Sequence, residues 1–533
     1  MKKKYLLMGL VGLMALTAGT SCTHDLEETN IDPNYMNVGD LHDPWGIFEP
    51  MFYGAAKGPC TYYTWFWNDE LAQYTCFSGG TTREENRYKI GESNFSALWS
   101  NYSGYANDAQ HMIDLAVKYK VPDAQALGMI MKVMFMENLT DIYGDIPYKE
   151  AFKGRGADQI MQPKFESQQE VYEDMLADLD SANDILAKAK PEVDETLKPM
   201  DQMYAGSTFK WRKFCNSLRL RLLCRVSGRA EMNSGARIQQ MLDNPEKYPI
   251  FSSNEDNATV KWSGIDPFRS YFAGNNTLEG TFTKSSYHVA EQVIKMTVFV
   301  DSTGIQSYTD PRLPIWANVG EDGWKGAISG CSPADRDKSN DGAATLNYPV
   351  FVRNEAHTYF MDYAEVQFIL AEMAERGLIS GGEEAARAYY EAGVTASLKK
   401  WGEWGQYSKS PKEITDEDVA TYLASSLGNW DASDNKLELI GNQKYLALFW
   451  TGMEAFAEVR RTGYPQLTIG NGTDYNDYQY PQRFAYPNVT VANNRQNVEE
   501  ALQRMGGENT MKTPVWWSKQ AITGKLLFEY KGE

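Results

Sequence analysis

Apolar residues recur every three or four positions along several stretches of the first half of the chain, which predicts amphipathic helices. The first stretch covers residues 94–119. It is ended by Val121, Pro122 and Asp123, which also begin a second helix with Leu127 and Met134 on its apolar face. Residues 168–190 and 209–226 repeat the pattern. Together these stretches indicate helical hairpins.

A second helical region begins at Asp362. Residues 363–374 have one apolar face, Arg376 and Gly377 end that helix, and residues 383–401 predict a return helix. Helix pairs of about forty residues resemble tetratricopeptide units, which need stacked neighbours to complete a core. We therefore expect a mainly α fold, with tetratricopeptide-like helical hairpins forming a scaffold over residues 94–230 and 361–462.

Two other regions lack this periodicity. Residues 250–350 and 465–515 are rich in Gly, Pro, Asn, Asp and Ser, with a few short β-like runs such as residues 295–300. Their length predicts long ordered loops, and loops of this kind on a rigid scaffold commonly carry function.

The N-terminus predicts export and anchoring. Three lysines precede about fourteen mostly apolar residues, a run too short to span a bilayer permanently. Small residues lead into Cys22, which favours a signal peptide over residues 1–21 and lipidation of Cys22. An ordinary signal peptide with an incidental cysteine is the alternative. Residues 22–40 then form a lipidated, acidic tether, and residues 41–533 are expected to form a single domain.

Charge narrows the possible partners. The chain has 533 residues, with 52 basic and 71 acidic side chains and a net charge of −19. Such a surface repels phosphate backbones, so nucleic-acid binding is excluded. The helix at 209–226 nevertheless has a basic face, which we expect to pair with neighbouring carboxylates: Arg212, Lys213, Arg219, Arg221 and Arg225.

Motifs for catalysis or cofactors are lacking in the sequence. The five histidines have no zinc-ligand spacing, and there is no nucleophile elbow or phosphate-binding glycine loop. The acidic run at 335–342 resembles a calcium loop, but its spacing is one residue too long. We expect no catalytic residues, no metal and no cofactor. Five cysteines follow Cys22, and the choice between five thiols and one disulfide stays open.

Aromatic clusters outside the periodic helices are the better functional signal. Aromatic faces beside Asn, Asp and Arg suit carbohydrate, because the rings stack on C–H faces while the polar groups bind hydroxyls. The alternative is that these rings fill the core beneath loops. The candidate ligand-binding residues are Trp65, Trp67, Asn68, Asp69, Arg269, Tyr271, Phe272 and Trp324.

Several strings along the chain resemble one family. They are LTDIYGDIPY (139–148), KWRKFCNSLRLR (210–221), DPRLP (310–314), MDYAEVQFILAE (361–372), QKY (443–445), RRTGYP (460–465) and PQRFAYP (481–487). With the lipoprotein leader, these strings resemble SusD/RagB nutrient-binding lipoproteins of the outer membrane.

The resemblance implies a helical fold with tetratricopeptide-like units and irregular loops. It also implies a place on the exterior face of the outer membrane, over a SusC-like TonB-dependent transporter that imports glycan fragments. We therefore expect a non-catalytic oligosaccharide-binding lipoprotein. The alternatives are an exported helical glycoside hydrolase and a SusD-like binder of peptides. Neither the glycan nor the binding residues follow from the resemblance.

Overall fold

The computed structural model describes residues 42–77, 84–154, 159–191, 194–272, 287–408 and 410–518. Helices dominate these residues, and the strands are short. The predicted mainly α fold is confirmed. The leader, Cys22 and the tether lie outside the described residues, so the predicted anchor and the predicted division into segments stay predictions.

The first described helix changes from α-helical to π-helical hydrogen bonding along its length. Helix α1 (Trp45–Lys57) continues into two π-helical turns, Gly58–Tyr62 and Thr64–Asn68, and a last turn at Asp69–Leu71. The N–H of Tyr63 donates to the carbonyl of Gly58, and the N–H of Asp69 donates to the carbonyl of Thr64. These five-residue steps are wider than the 3.6-residue turn, so the sequence shows no helical period here.

The first predicted hairpins are present. Helices α2 (Glu92–Tyr119), α3 (Pro122–Tyr143), α4 (Gln168–Leu186), α5 (Thr208–Arg225) and α6 (Ser234–Asp243) follow in order, and each packs against the next. Ser167 caps α4 by accepting from the N–H of Glu170. Helix α4 ends at Leu186, four residues before the predicted end at Lys190.

The middle of the chain is built from loops and short elements. Strands β1 (Thr75–Phe77), β3 (Tyr287–Val289), β7 (Thr345–Leu346) and β6 (Ala317–Asn318) form an antiparallel sheet in the order β1-β3-β7-β6. Two further pairs are β2 (Ala258–Val260) with β8 (Thr358–Met361), and β4 (Val298–Val300) with β5 (Gln306–Thr309). The predicted β-like run at 295–300 is wrong in its first half, because helix α7 (Glu291–Thr297) extends to Thr297. The shorter helices of this region are Leu313–Trp316, Arg336–Asn340 and Tyr348–Phe351.

The second scaffold region follows the predicted order. Its helices are α8 (Tyr363–Glu375), α9 (Gly382–Gly405), α10 (Asp416–Ala424), α11 (Lys436–Ala447) and α12 (Glu454–Thr462). Helix α8 packs on both α9 and α11, and it also touches α5 of the first region. After loops at 463–487 come the short helix Asn488–Asn493 and α13 (Arg495–Met505), and a 3₁₀ turn at Trp516–Ser518 is the last described helical element.

Buried ion pairs connect the two helical regions. On α5, Arg221 binds Glu365 of α8 through two hydrogen bonds of 2.6 and 2.7 Å. Arg225 binds Asp141 of α3 at 3.0 Å and contacts Glu454 and Glu458 of α12. Lys213 and Arg219 pair with Asp256 and Asp180, while Arg212 binds Asn183 and backbone carbonyls. The predicted pairing of the basic face is confirmed for four of its five members.

Cysteines, metal-ligand groupings and helix hydropathy can be read from the described residues. Cys60, Cys76, Cys215, Cys224 and Cys331 are free thiols. Among the described residues, no group of three or more His, Cys, Asp and Glu side chains is arranged to hold a metal ion. Within the same ranges, no helix has the length and hydropathy needed to cross a bilayer.

Candidate functional site

Five of the eight predicted ligand contacts are buried, and three of these lie together near the end of the π-helical segment: Trp67, Asn68 and Asp69. Trp67 is 2% exposed, and its ring packs 5.7 Å from that of Phe484. Asn68 and Asp69 are fully buried. Trp67 and Asn68 lie in the second π-helical turn, and Asp69 follows it. Trp67 contacts Phe484, and Asn68 contacts helix α12. A ligand has no access to them in this structure.

Asn68 and Asp69 have structural partners. The Asn68 side chain donates to Asp69 Oδ1 at 3.0 Å and accepts from the backbone N–H of Phe456 at 3.0 Å. Burial raises the pKa of Asp69 well above its usual range, partly opposed by the hydrogen bond from Asn68. The pair connects the end of the π-helical segment to the first turn of α12.

Three other predicted rings, Trp65, Tyr271 and Phe272, form an aromatic cluster together with Tyr62 and Phe66. The Tyr62 ring lies 5.3 Å from Tyr271, and Trp65 lies 6.0 Å from Phe272. Trp65 and Phe272 are buried and form the base of the cluster. Tyr271 is 38% exposed, and Tyr62 and Phe66 are half-buried, so the outer layer faces solvent. Phe272 is therefore a core ring, and Tyr271 is the predicted ring most open to a ligand.

Arg269 lies beside this cluster but is already paired. Its guanidinium donates to Asp266 Oδ1 at 2.6 Å and also contacts Oδ2. Both side chains are partly exposed, so the pair is a surface ion pair.

Trp324 lies elsewhere, on the wall of a cleft of about 1030 Å³. All residues that line this loop cleft come from 291–341 and 468–471, within the two predicted loop-rich regions. Its apolar walls include Val300 and Ile328, and both of these side chains are more than 40% exposed. The sequence therefore predicted which loops form the cleft. Among the side chains that line it, the sequence analysis had named only Trp324 as a candidate.

Gln306 holds Trp324 in place. Its side-chain amide donates to the carbonyl of Trp324 at 2.9 Å, and its amide oxygen accepts from the N–H of Trp324 at 3.2 Å. This two-point contact joins strand β5 to the turn at Gly323, whose φ of +79° favours glycine. The sequence analysis did not identify Gln306, because no pattern in the neighbouring residues indicates that a glutamine binds the backbone of a residue 18 positions away.

The two loop regions are joined across the cleft by Asn471. Its amide donates to Asp335 Oδ2 at 2.9 Å and its oxygen accepts from the N–H of Ser332 at 2.8 Å. The backbones meet so closely that a Cβ at Gly470 would lie 2.2 Å from the carbonyl oxygen of Gly330. Hydrogen bonds from Ser332 and Asn471 hold the pKa of Asp335 below its usual range. This direction is opposite to that needed by a general acid.

The charges of the loop cleft largely cancel. Lys295 pairs with Glu291 at 2.7 Å, and Lys325 lies 3.6 Å from Asp322 and contacts the carbonyl of Asp341. A cleft with alternating, paired charges offers donors and acceptors without a strong preference for an ion of either sign.

The aromatic cluster and the loop cleft are neighbours along the small sheet. Phe77 of β1 packs 5.1 Å from Tyr287 of β3, whose ring is 5.3 Å from Trp65 in the cluster. Cys76 also belongs to β1, and its thiol contacts the backbone carbonyl of Ile328, a residue that lines the cleft. Strand β1 therefore joins two candidate surfaces that the sequence had suggested separately.

Known proteins resemble this chain in sequence and in fold. A SusD-like family model, described as starch-binding and associating with the outer membrane, matches residues 41–487. A solved chitin-binding protein is 26% identical, with a TM-score of 0.72 over 90% of this chain and 100% of its own. A SusD homologue from Bacteroides fragilis is 24% identical, with a TM-score of 0.71 over 90% of this chain and 99% of its own.

A chitin-binding SusD homologue from Flavobacterium johnsoniae is 22% identical, with a TM-score of 0.69 over 90% of this chain and 99% of its own. No curated protein matches the chain. The family model covers most of the sequence, including both scaffold regions and the loops between them. The chain belongs to the SusD-like family.

Proposed function

We propose that the protein is a non-catalytic lipoprotein that captures oligosaccharides at the cell surface and delivers them to a TonB-dependent transporter. The observation that carries this proposal is the loop cleft of about 1030 Å³ with Trp324 on its wall, in a chain of a family described as starch-binding. The volume is at the upper end of the range for small-molecule sites.

The chemistry of the cleft suits a neutral sugar chain. Trp324 offers a ring face to the C–H groups of a pyranose, and Val300 and Ile328 extend the apolar wall. Lys338, Asp341 and other polar groups at its sides supply donors and acceptors for hydroxyls. Because Lys295 and Lys325 are already paired, an anionic ligand gains little over a neutral one.

The exposed layer of the aromatic cluster extends this surface. Tyr271, Tyr62 and Phe66 present rings beside the small sheet that borders the cleft. A chain of several sugar units therefore has two stacking areas. Phe272 packs 5.2 Å from Tyr271, and Trp65 packs 5.8 Å from Tyr62, so we assign these two buried rings packing roles.

The ligand can be identified first and then used to test the site. A glycan array that includes starch and chitin fragments is the first screen, because relatives are described as starch- or chitin-binding. The best ligand is then titrated by calorimetry into wild type, Trp324→Ala, Tyr271→Ala and the control Phe209→Ala. Phe209 is an exposed ring on α5, outside both candidate surfaces.

We expect Trp324→Ala and Tyr271→Ala each to weaken binding about two- to twelvefold, since a specific aromatic contact contributes about 0.5–1.5 kcal/mol beyond area burial. Phe209→Ala should bind like wild type, and added salt should change the affinity little. Wild-type affinity in both loop variants, with circular dichroism showing intact folds, would place the site elsewhere.

The same samples separate the alternatives. New reducing ends after incubation of the pure protein with the best oligosaccharide would favour a glycoside hydrolase. Binding of peptides in place of glycans would favour the alternative hypothesis of a SusD-like peptide-binding protein.

A further inference from the structure

A second cleft lies on the helical scaffold, and none of its residues lines the loop cleft. This helical groove has a volume of about 470 Å³. It is bordered by Asp114 of α2, Lys132 of α3, Asp174 and Asp178 of α4, and Tyr148 and Phe152 of the segment between α3 and α4.

Lys132 is the unusual residue of the groove. It is 8% exposed, on a helix whose other residues around it are apolar and buried. Among the described residues, its ammonium makes one hydrogen bond, of 3.5 Å, to Asp178 Oδ2. That oxygen has a closer donor, the Tyr148 hydroxyl at 2.6 Å. An ammonium has three donors, so this single long bond leaves donors available to a group that enters the groove.

The surroundings of Lys132 hold it in place. Its ammonium lies 4.3 Å from the centre of the Tyr148 ring, a favourable cation–π distance. Burial, followed by the nearby Asp178 carboxylate, raises the pKa of Tyr148 well above its usual range, so the phenol stays a donor to Asp178. The ammonium therefore keeps donors that point to the groove.

Phe152 provides an independent observation at the rim. Its φ of +66° lies in the left-handed region, which residues other than glycine adopt at a cost. The ring is half-buried and lines the groove next to Ala151. Strained conformations of this kind concentrate where a side chain must be held in a functional position.

The charges of the groove are balanced. Lys132, Lys149 and Lys153 face Asp114, Asp174 and Asp178, and Lys149 pairs with Asp174 at 3.2 Å. A ligand must therefore accept from ammonium groups and donate to carboxylates at the same time. Hydroxyl groups do both, and they carry no charge that would be repelled.

We propose that the helical groove binds a small, neutral, hydroxyl-rich ligand such as a monosaccharide. Its hydroxyls bind Lys132 and the aspartates, and its C–H face packs on Phe152. This site is separate from the loop cleft and does not depend on the function proposed for that cleft.

Saturation-transfer NMR on the folded mature protein tests the proposal, with glucose, N-acetylglucosamine and glucuronate as probes. Lys132→Met keeps the buried aliphatic stem and removes the ammonium. Phe152→Gly removes the ring and the left-handed strain together. Because the ring also packs against the core, a modest fall in Tm is expected, and circular dichroism checks that the variant is folded. Trp324→Ala alters the loop cleft alone.

We expect the signal of a neutral sugar to persist in Trp324→Ala and to fall at least threefold in Lys132→Met and Phe152→Gly. Loss of all sugar signal in Trp324→Ala would confine binding to the loop cleft. That result would overturn the proposed binding site in the helical groove and leave the proposed function intact. Unchanged signals in both groove variants, or stronger binding of glucuronate than of glucose, would also overturn it.

Discussion

At the scale of single residues, the sequence showed which aromatic rings are available but not which of them face solvent. Trp67 and Trp324 are the same residue type in non-periodic segments, yet one is buried against Phe484 and the other lines a cleft. The difference depends on partners far along the chain, which local pattern does not encode. Asn68 shows the same limit, because its partner Phe456 is 388 residues away.

A buried histidine gives a residue-scale prediction about pH. His288 on β3 is 3% exposed, and burial lowers its pKa from 6.5 to about 4. The unfolded chain therefore binds a proton between about pH 6.5 and 4 while the folded chain does not. Acidification through this window favours unfolding.

We expect the free energy of unfolding of wild type to fall by up to about 3 kcal/mol more than that of His288→Gln between pH 7 and 4, since each pKa unit corresponds to about 1.4 kcal/mol. Urea titrations of both proteins at pH 8, 7, 6, 5 and 4 measure this difference. It should be flat from pH 8 to 7. Parallel curves down to pH 4 would show that His288 does not titrate in this way.

At the scale of elements, periodic helices were predictable and the π-helical segment was not. The predicted helix at 94–119 agrees with α2 except for two residues at its start. The agreement is close because the apolar positions of this helix recur with the standard 3.6-residue turn. Residues 58–68 use wider turns, so the same method found no helical period there. The loop cleft has no period at all, and only the composition of its two regions indicated a functional role.

The contact between α2 and α3 gives an element-scale prediction. A Cβ at Gly128 of α3 would lie 2.8 Å from Ile113 Cγ1 and 3.3 Å from the carbonyl oxygen of Ala109. At Gly104 of α2, a Cβ would meet nothing within 4 Å. The same substitution therefore has opposite effects on two neighbouring helices.

We expect Gly128→Ala to lower the free energy of unfolding by about 1 kcal/mol, because overpacking of about 1–3 kcal/mol exceeds the gain of about 1 kcal/mol in helix propensity. Gly104→Ala should raise it by about 0.5–1 kcal/mol. Urea midpoints of the two variants give the comparison. A stabilised Gly128→Ala would mean that the helices separate more easily than their packing indicates.

At the scale of the whole molecule, buried ion pairs connect the two helical regions. Arg225 lies between Asp141 of the first region and Glu454 and Glu458 of the second. Burial raises the pKa of Glu458, but Arg461, Lys444 and Arg225 together hold it well below the usual range. The charges of this interface are therefore mutually dependent.

Arg225→Met should lower the free energy of unfolding by about 3–5 kcal/mol, because it leaves three buried carboxylates short of a partner. Arg237→Met, which removes a partly exposed pair with Glu173, should cost about 0–1 kcal/mol. Circular dichroism during urea unfolding should show one transition in both variants. Two separate transitions in Arg225→Met would show that the regions are held together mainly by this network.

The predicted anchor can be tested on the intact cell. Cys22→Ala should leave the body folded and release it from the membrane fraction, because two acyl chains supply stable attachment where one chain does not. Cys60→Ala, which alters a thiol of the body, should stay in the membrane fraction. Retention of Cys22→Ala in that fraction would remove the basis for a lipid anchor.

The proposed delivery to a transporter requires a direct complex between the two proteins. A binding protein that passes an oligosaccharide to a transporter must hold its cleft near the transporter entrance, which requires a specific interface of more than about 1,000 Å². We expect an affinity-tagged copy of this chain, purified from outer membranes in mild detergent, to recover a SusC-like β-barrel protein. The Cys22→Ala variant, mixed with the same solubilised membranes, should recover it as well, because the interface belongs to the folded body and not to the lipid. Recovery by the anchored protein alone would show that the lipid co-localises the two proteins without a direct complex. Recovery by neither protein would contradict a direct complex, and glycan capture would then be independent of the transporter.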